Sequence, residues 1–156
     1  MPGKKGMEHD INALTEIKVH TNMVFVYGTL MKDFPNHRRY LEGRIKRIIP
    51  AKTHGILYHL PEGYPALIPG NGTVRGEVAE LIDDEYLKPL DLLEGYAEGS
   101  SDNLYKRELR TLMTDEGEEV TCWLYIFADE KYAREHGIPV PDGDWRKFME
   151  NRRGLI

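Results

Sequence analysis

Apolar residues in this chain come in short runs, and glycine, proline or Asn/Asp clusters separate them. The run Met23-Val24-Phe25-Val26-Tyr27 predicts a buried strand that ends at Gly28. Ile45, Ile48 and Ile49 predict an irregular apolar strand that stops before Pro50, and Gly55–Leu60 predicts a second buried one. Asn71-Gly72 is the signal of a tight hairpin turn. The strand expected after it, Val74–Leu81, contains Gly76, which marks a bulge or a close approach by another group. Tyr105–Met113 and residues 120–127 predict a hairpin turning at Asp115-Glu116-Gly117-Glu118. Short strands split by turns in this way indicate a small mixed or barrel-like sheet.

Helical spacing is confined to brief pieces. Asn36 is placed to cap a short helix that runs to about Leu41. Behind Asp83 or Asp84, Leu87, Leu90 and Leu93 share one face, and Pro89 predicts two short turns, the second beginning at the proline. Gly95 then supplies a stop. Near the end, Ile138–Pro141 reads as extended, and Asp144 caps a closing helix anchored by Trp145 and Phe148. Residues 1–22 stand apart: Ile11, Leu14 and Ile17 predict a short amphipathic arm, with an unstructured leader as the alternative. The expected organisation is therefore an arm over 1–22 and one domain over 23–156.

Composition narrows the classes. A length of 156 residues suits one domain, and a formal net charge of -5 favours no nucleic-acid partner. No apolar run is long enough to cross a bilayer and no signal-type segment opens the chain, so no membrane association is expected. The single cysteine, Cys122, sits in an apolar run, reads as a small core residue, and fits a reducing, cytoplasmic setting. The six histidines show no metal-ligand spacing, and His59 reads as a core or edge residue. The basic stretch from His37 to Arg47 reads as a solvated face. Neither a Gly-x-Ser-x-Gly elbow nor a phosphate-binding loop is present.

Two places remain for chemistry. The turn after residues 23–27 leaves several backbone N–H groups unpaired in a row, which suits a small carboxylate or an oxyanion, although an ordinary strand-to-loop turn gives the same sequence. Glu94 follows apolar residues in the last turn of a short helix. The helix dipole and desolvation by Leu90 and Leu93 both act to raise its pKa toward the range useful for proton transfer at neutral pH. Taken alone, the same residue reads first as an exposed helix-end carboxylate, since most such residues are solvated.

The ordered set of motifs is more specific. Val26-Tyr27-Gly28-Thr29-Leu30, then Gly76-Glu77-Val78-Ala79-Glu80-Leu81, Leu90-Asp91-Leu92-Leu93-Glu94-Gly95-Tyr96, Tyr105-Lys106-Arg107 and Gly143-Asp144-Trp145 together resemble the gamma-glutamylcyclotransferase-like superfamily. The resemblance spans about Met23 to Arg153. The Thr-Leu ending of the first motif is similar to the AIG2-like branch that contains gamma-glutamylaminecyclotransferase. The resemblance implies an α+β fold, a small mixed β-barrel with short flanking helices and a pocket at one mouth. It also implies a small-molecule γ-glutamyl substrate, release of 5-oxoproline and an amine by intramolecular aminolysis, and no metal or other cofactor. Glu94 then takes the acid–base role, with Tyr27, Gly28, Thr29 and Leu30 as the substrate-binding loop. Tyr105 either borders the pocket or packs on the sheet, and Arg107 pairs with a surface carboxylate. The alternative from a different class is a non-catalytic module that keeps the pocket to bind a small carboxylate. The sequence leaves oligomeric state and the leaving amine open.

Overall fold

The structure, a computed structural model, describes residues 21–154. The arm expected over 1–22 lies outside the described residues except for its last two. Among the described residues, six strands form one sheet: β1 (Met23–Val26), β2 (Ile45–His59), β3 (Pro65–Leu81), β4 (Tyr105–Met113), β5 (Glu119–Phe127) and β6 (Ile138–Pro139). Their order is β4-β5-β1-β3-β2-β6. Four short helices flank it there: α1 (Pro35–Tyr40), α2 (Leu87–Leu93), α3 (Glu130–His136) and α4 (Trp145–Gly154). β1 is central and wholly apolar, antiparallel to β3 and parallel to β5, with Val24 opposite Trp123. Val24 and Phe25 are fully buried there, as expected of a strand covered on both faces.

The sheet curls into a half-barrel, the small mixed β-barrel with flanking helices that the motifs imply. Its two flanks meet where β2 passes the end of β4. One antiparallel bridge, Ala51 to Thr114, joins them, and Asp115 N donates to the Pro50 carbonyl at 2.8 Å. The Arg110 guanidinium adds bonds of 2.8 Å to Thr53 Oγ1 and to the His54 carbonyl.

Several sequence expectations are corrected here. The two strands predicted on either side of Pro50 are one strand, β2, in which Pro50 sits opposite Glu77. β6 pairs with β2 only at Tyr58 and His59, and beside Pro50 that edge meets only the isolated Ala51–Thr114 bridge and the Asp115 N–H given to the Pro50 carbonyl, so no ladder calls on an N–H from the proline. Asn71-Gly72 makes no hairpin. It lies inside β3, where the pairing jumps from His54–Thr73 to Ile56–Ile68, and the chain bulges over residues 69–72. The actual turn between β2 and β3 is the Pro61–Tyr64 loop, closed by Gly63 N to Leu60 O at 2.9 Å. Helix α3 has an Asp129 side chain capping Tyr132 N and was not expected in that polar stretch.

Other expectations hold. Adding a Cβ at Gly76 would strike the Phe25 ring at 2.6 Å, the close approach expected there. Tyr105–Met113 and β5 form the antiparallel hairpin. Asp83 caps a single 3-10 turn, Asp84–Tyr86, and α2 follows from Leu87, two residues earlier than Pro89. Asp144 caps α4 by accepting from Lys147 N at 3.0 Å, and Trp145 is buried. Cys122 is buried, and burial pushes its thiol up to about 12, which suits an inert core residue. His59 is buried and accepts from the Trp145 indole N–H. In the basic stretch Arg38, Arg39, Lys46 and Arg47 are exposed, but His37 is buried against the Leu30 carbonyl.

Candidate active site

Where β1 ends, the chain turns through Gly28 and winds into α1. Gly28 O accepts from Met31 N at 3.0 Å, and Thr29 O accepts from His37 N at 3.1 Å, so the loop is tied to the first turn of the helix. His37 fixes the other side, with its Nδ1 3.0 Å from Leu30 O. A carbonyl only accepts, so that nitrogen carries the proton. Asn36, expected to cap α1, instead lies inside it: Phe34 is the N-cap residue, and the Asn36 amide nitrogen stands 2.6 Å from Thr29 Oγ1. The N–H groups of Gly28, Thr29 and Leu30 donate to no partner among the described residues. Gly28 is required for close approach rather than for a left-handed backbone. A Cβ there would fall 2.6 Å from Pro65 Cγ.

Glu94 reaches the same place from the end of α2. It is the C-cap residue of α2, its N–H held by Leu90 O at 2.9 Å, and Gly95 at φ +63° turns the chain away after it. Leu87 and Leu90 press the helix into the core, Leu93 is half-buried, and Leu92 points outward. The carboxyl makes no ion pair or hydrogen bond among the described residues. Desolvation by burial raises its pKa to about 7. Burial is the cause of that shift, as the apolar neighbours in the sequence lead one to expect.

A cavity of about 120 Å³ opens between these two segments. Tyr27, Gly28, Thr29, Leu30, Glu94 and Tyr105 all line it, so the six residues singled out from the sequence converge on one hollow. Among the described residues, Glu94 is its only charged lining residue. Tyr105 borders the cavity while packing on the sheet, which joins its two expected placements. Its hydroxyl donates to the Pro65 carbonyl, and burial, with the Tyr27 and Glu94 charges behind it, drives its pKa upward. The Tyr27 hydroxyl donates to Tyr125 O, and burial followed by the Glu94 charge raises its pKa well above the ordinary value. Both phenols stay neutral as hydrogen-bonding groups.

Sequence reasoning missed Tyr64, Tyr125 and Asn36, which also line the cavity. Tyr125 lies two positions along β5 from Trp123 and shares its face of the strand. Tyr64 rides on the two-proline loop, whose stiffness was the available signal. Arg107 does not reach a surface carboxylate. It pairs at 2.8 Å with Asp91, the third residue before Glu94, and both side chains are largely covered. Its guanidinium stacks on Trp123 at 4.4 Å and on Tyr96 at 5.2 Å. The other Asp91 oxygen accepts from the Tyr125 hydroxyl at 2.7 Å. This network fastens α2, and hence Glu94, to the β4–β5 hairpin. Burial pushes the Asp91 carboxyl up, while Tyr125 and Arg107 hold it down.

The profile of the family described as gamma-glutamyl cyclotransferase, AIG2-like, matches residues 24–147, which includes every segment of this site. The chain belongs to that family. A provisionally named gamma-glutamylcyclotransferase of Drosophila melanogaster, CG2811, is 34% identical over 141 residues, covering 81% of this chain and 85% of its own. The gamma-L-glutamyl-butirosin B gamma-glutamyl cyclotransferase of Niallia circulans is 31% identical over 134 residues, or 85% of this chain and 81% of its own. Among solved structures, an AIG2-like protein of Mus musculus superposes with a TM-score of 0.55 at 25% identity, over 72% of this chain and 82% of that one. The AIG2-like cyclotransferase fold thus carries both halves of the cavity. No helix among the described residues is long and apolar enough to cross a membrane.

Proposed function

We propose that this cyclotransferase-family chain converts a small γ-glutamyl compound into 5-oxoproline and a free amine, with Glu94 as the single proton carrier. The supporting observation is the shared cavity: an unpartnered carboxyl with a pKa raised to about 7 lines the same otherwise uncharged hollow as a loop whose three main-chain N–H groups have no partner among the described residues. An α-ammonium group is no nucleophile, so the ionised Glu94 first takes its proton. The freed amine attacks the γ-carbonyl carbon of the same molecule, forming the new C–N bond and an oxyanion. The loop N–H groups of residues 28–30 stabilise the substrate's negative charge. Collapse of the adduct breaks the original γ-amide C–N bond; the departing nitrogen receives the proton held by Glu94, and the surplus proton on the ring nitrogen then passes through the same carboxylate to the released amine, which leaves as an ammonium. Because nucleophile and carbonyl share one molecule, effective molarities on the order of 10⁵ M are accessible once the substrate is folded back on itself. A carboxyl titrating near 7 exchanges a proton in both directions at neutral pH.

The test is incubation with γ-glutamyl-amines and γ-glutamyl-amino acids, followed by assay for 5-oxoproline. Release that depends on Glu94 supports the proposal, and turnover undiminished in Glu94→Gln overturns its mechanism. Tight binding of 5-oxoproline with no turnover across the panel would favour the carboxylate-binding module instead.

A further inference from the structure

Thr29 is constrained on two sides by α1. Its carbonyl accepts the His37 N–H, and its hydroxyl oxygen stands 2.6 Å from the amide nitrogen of Asn36. Both side chains line the cavity and both are half-buried. An amide NH2 only donates, so the Thr29 oxygen accepts there and its own proton must point elsewhere. No acceptor for that proton is found among the described residues. The Thr29 N–H is likewise undonated.

We infer that Asn36 is a positioning residue that turns the Thr29 hydroxyl proton into the cavity, making Thr29 a donor to the carboxylate of the bound γ-glutamyl group. The inference rests on the function proposed above for the choice of ligand. Without Asn36 the threonine hydroxyl is free to rotate and to act as an acceptor, which suits an anion poorly. With it, the main-chain N–H and the hydroxyl of one residue are both left as donors for a ligand. Among the described residues no cationic side chain lines the cavity, so oriented neutral donors are what the hollow offers to an anion.

Asn36→Asp tests the direction of this bond, because an ionised carboxylate only accepts and takes the Thr29 proton for itself. A tie between loop and helix survives that change; a donor aimed at the ligand does not. Asn36→Asp also adds charge, so it is measured in the wild-type and Thr29→Val backgrounds as a double-mutant cycle. The readouts are 5-oxoproline binding by calorimetry and KM for a γ-glutamyl-amine, with thermal melting to verify folding. Asn36→Asp is expected to weaken binding by about tenfold more in the wild-type background than in the Thr29→Val background, where there is no hydroxyl proton to redirect. Asn36→Leu should raise KM several-fold while the pH midpoint of kcat/KM stays put. Equal effects of Asn36→Asp in both backgrounds, or binding unchanged in Asn36→Leu, would overturn the inference. Wild-type binding that follows this pattern without any turnover would sink the proposed reaction and leave the Asn36 assignment standing. Wild-type turnover with additive variants would do the reverse.

Discussion

Two regions of this half-barrel handle carboxylates in opposite ways. At the seam where β2, β3 and the β4–β5 turn meet, Arg47 binds Glu80 and Glu118 at once, with bonds of 2.8 to 2.9 Å. Arg47 and Glu118 are substantially exposed there, Glu80 is more covered, and each acid has its cation. At the cavity, Glu94 has no cation among the described residues, while three residues earlier Asp91 has both an arginine and a tyrosine. Bond lengths at the seam and at Asp91 are alike, yet water screens the first set and much less of it reaches the second. The lesson is that pairing marks carboxylates kept for structure. The acid left alone in a low-dielectric pocket weakens the fold at neutral pH and gains a proton affinity suited to chemistry.

Removing the lone acid breaks the contrast most severely. Glu94→Gln should lower 5-oxoproline release by about 10²- to 10⁴-fold, the usual contribution of a positioned acid–base group, measured as kcat/KM. In the wild type kcat/KM should rise with pH through about 7, as the carboxyl loses the proton that prevents it from acting as base.

The stability cost of that acid is the next largest effect. Its folded pKa of about 7 exceeds the ordinary 4.5, so the folded state holds the proton more tightly than the unfolded chain does. Its stabilising contribution is complete below about 4.5, declines as pH rises, and is gone above about 7, a change on the order of 3 kcal/mol. Denaturant titrations of wild type and Glu94→Gln should therefore diverge across that window, with the variant the more stable at about pH 8.

Asp91→Ala sharpens the comparison from the structural side. It strands the Arg107 guanidinium, whose Nε already lacks a partner while buried. A loss of about 2 kcal/mol is expected by chemical denaturation, less than for a fully buried pair because some water reaches this one. Tyr125→Phe, which removes one hydrogen bond and leaves the ion pair, should cost about 1 kcal/mol. Arg47→Ala at the seam should move the melting temperature least, and raising the salt concentration to about 1 M should shrink even that difference.

How much of this was legible in the sequence follows from how local each determinant is. β1, its glycine turn and the β4–β5 hairpin were readable because apolar runs and turn residues lie next to each other in the chain. Glu94 was singled out through the motif that contains it, because its helix neighbours alone fit a solvated helix end as well. Pro50 misled because proline normally ends a strand, and it is permitted here because its neighbours on that side of β2 take its carbonyl and call on no N–H from it. Asn71-Gly72 misled because the same backbone freedom serves a bulge as well as a turn. Tyr64, Tyr125 and Asn36 come to the cavity through the curl of the sheet and the docking of α1, which no short window of sequence contains. The Asp91–Arg107 bond links positions 16 residues apart, across a polar loop that gives no hint of it.

Pro65 joins the two halves of the pocket physically: its ring rests on the bare Cα of Gly28, and its carbonyl takes the Tyr105 hydroxyl. Anyone redesigning the hollow for a bulkier guest therefore has little freedom at position 28, where even a methyl group would wedge the proline away and drag the tyrosine with it. Room has to be made at Leu104 instead, whose partly exposed side chain takes part in neither contact, because the Tyr64 ring packs against that of Tyr105.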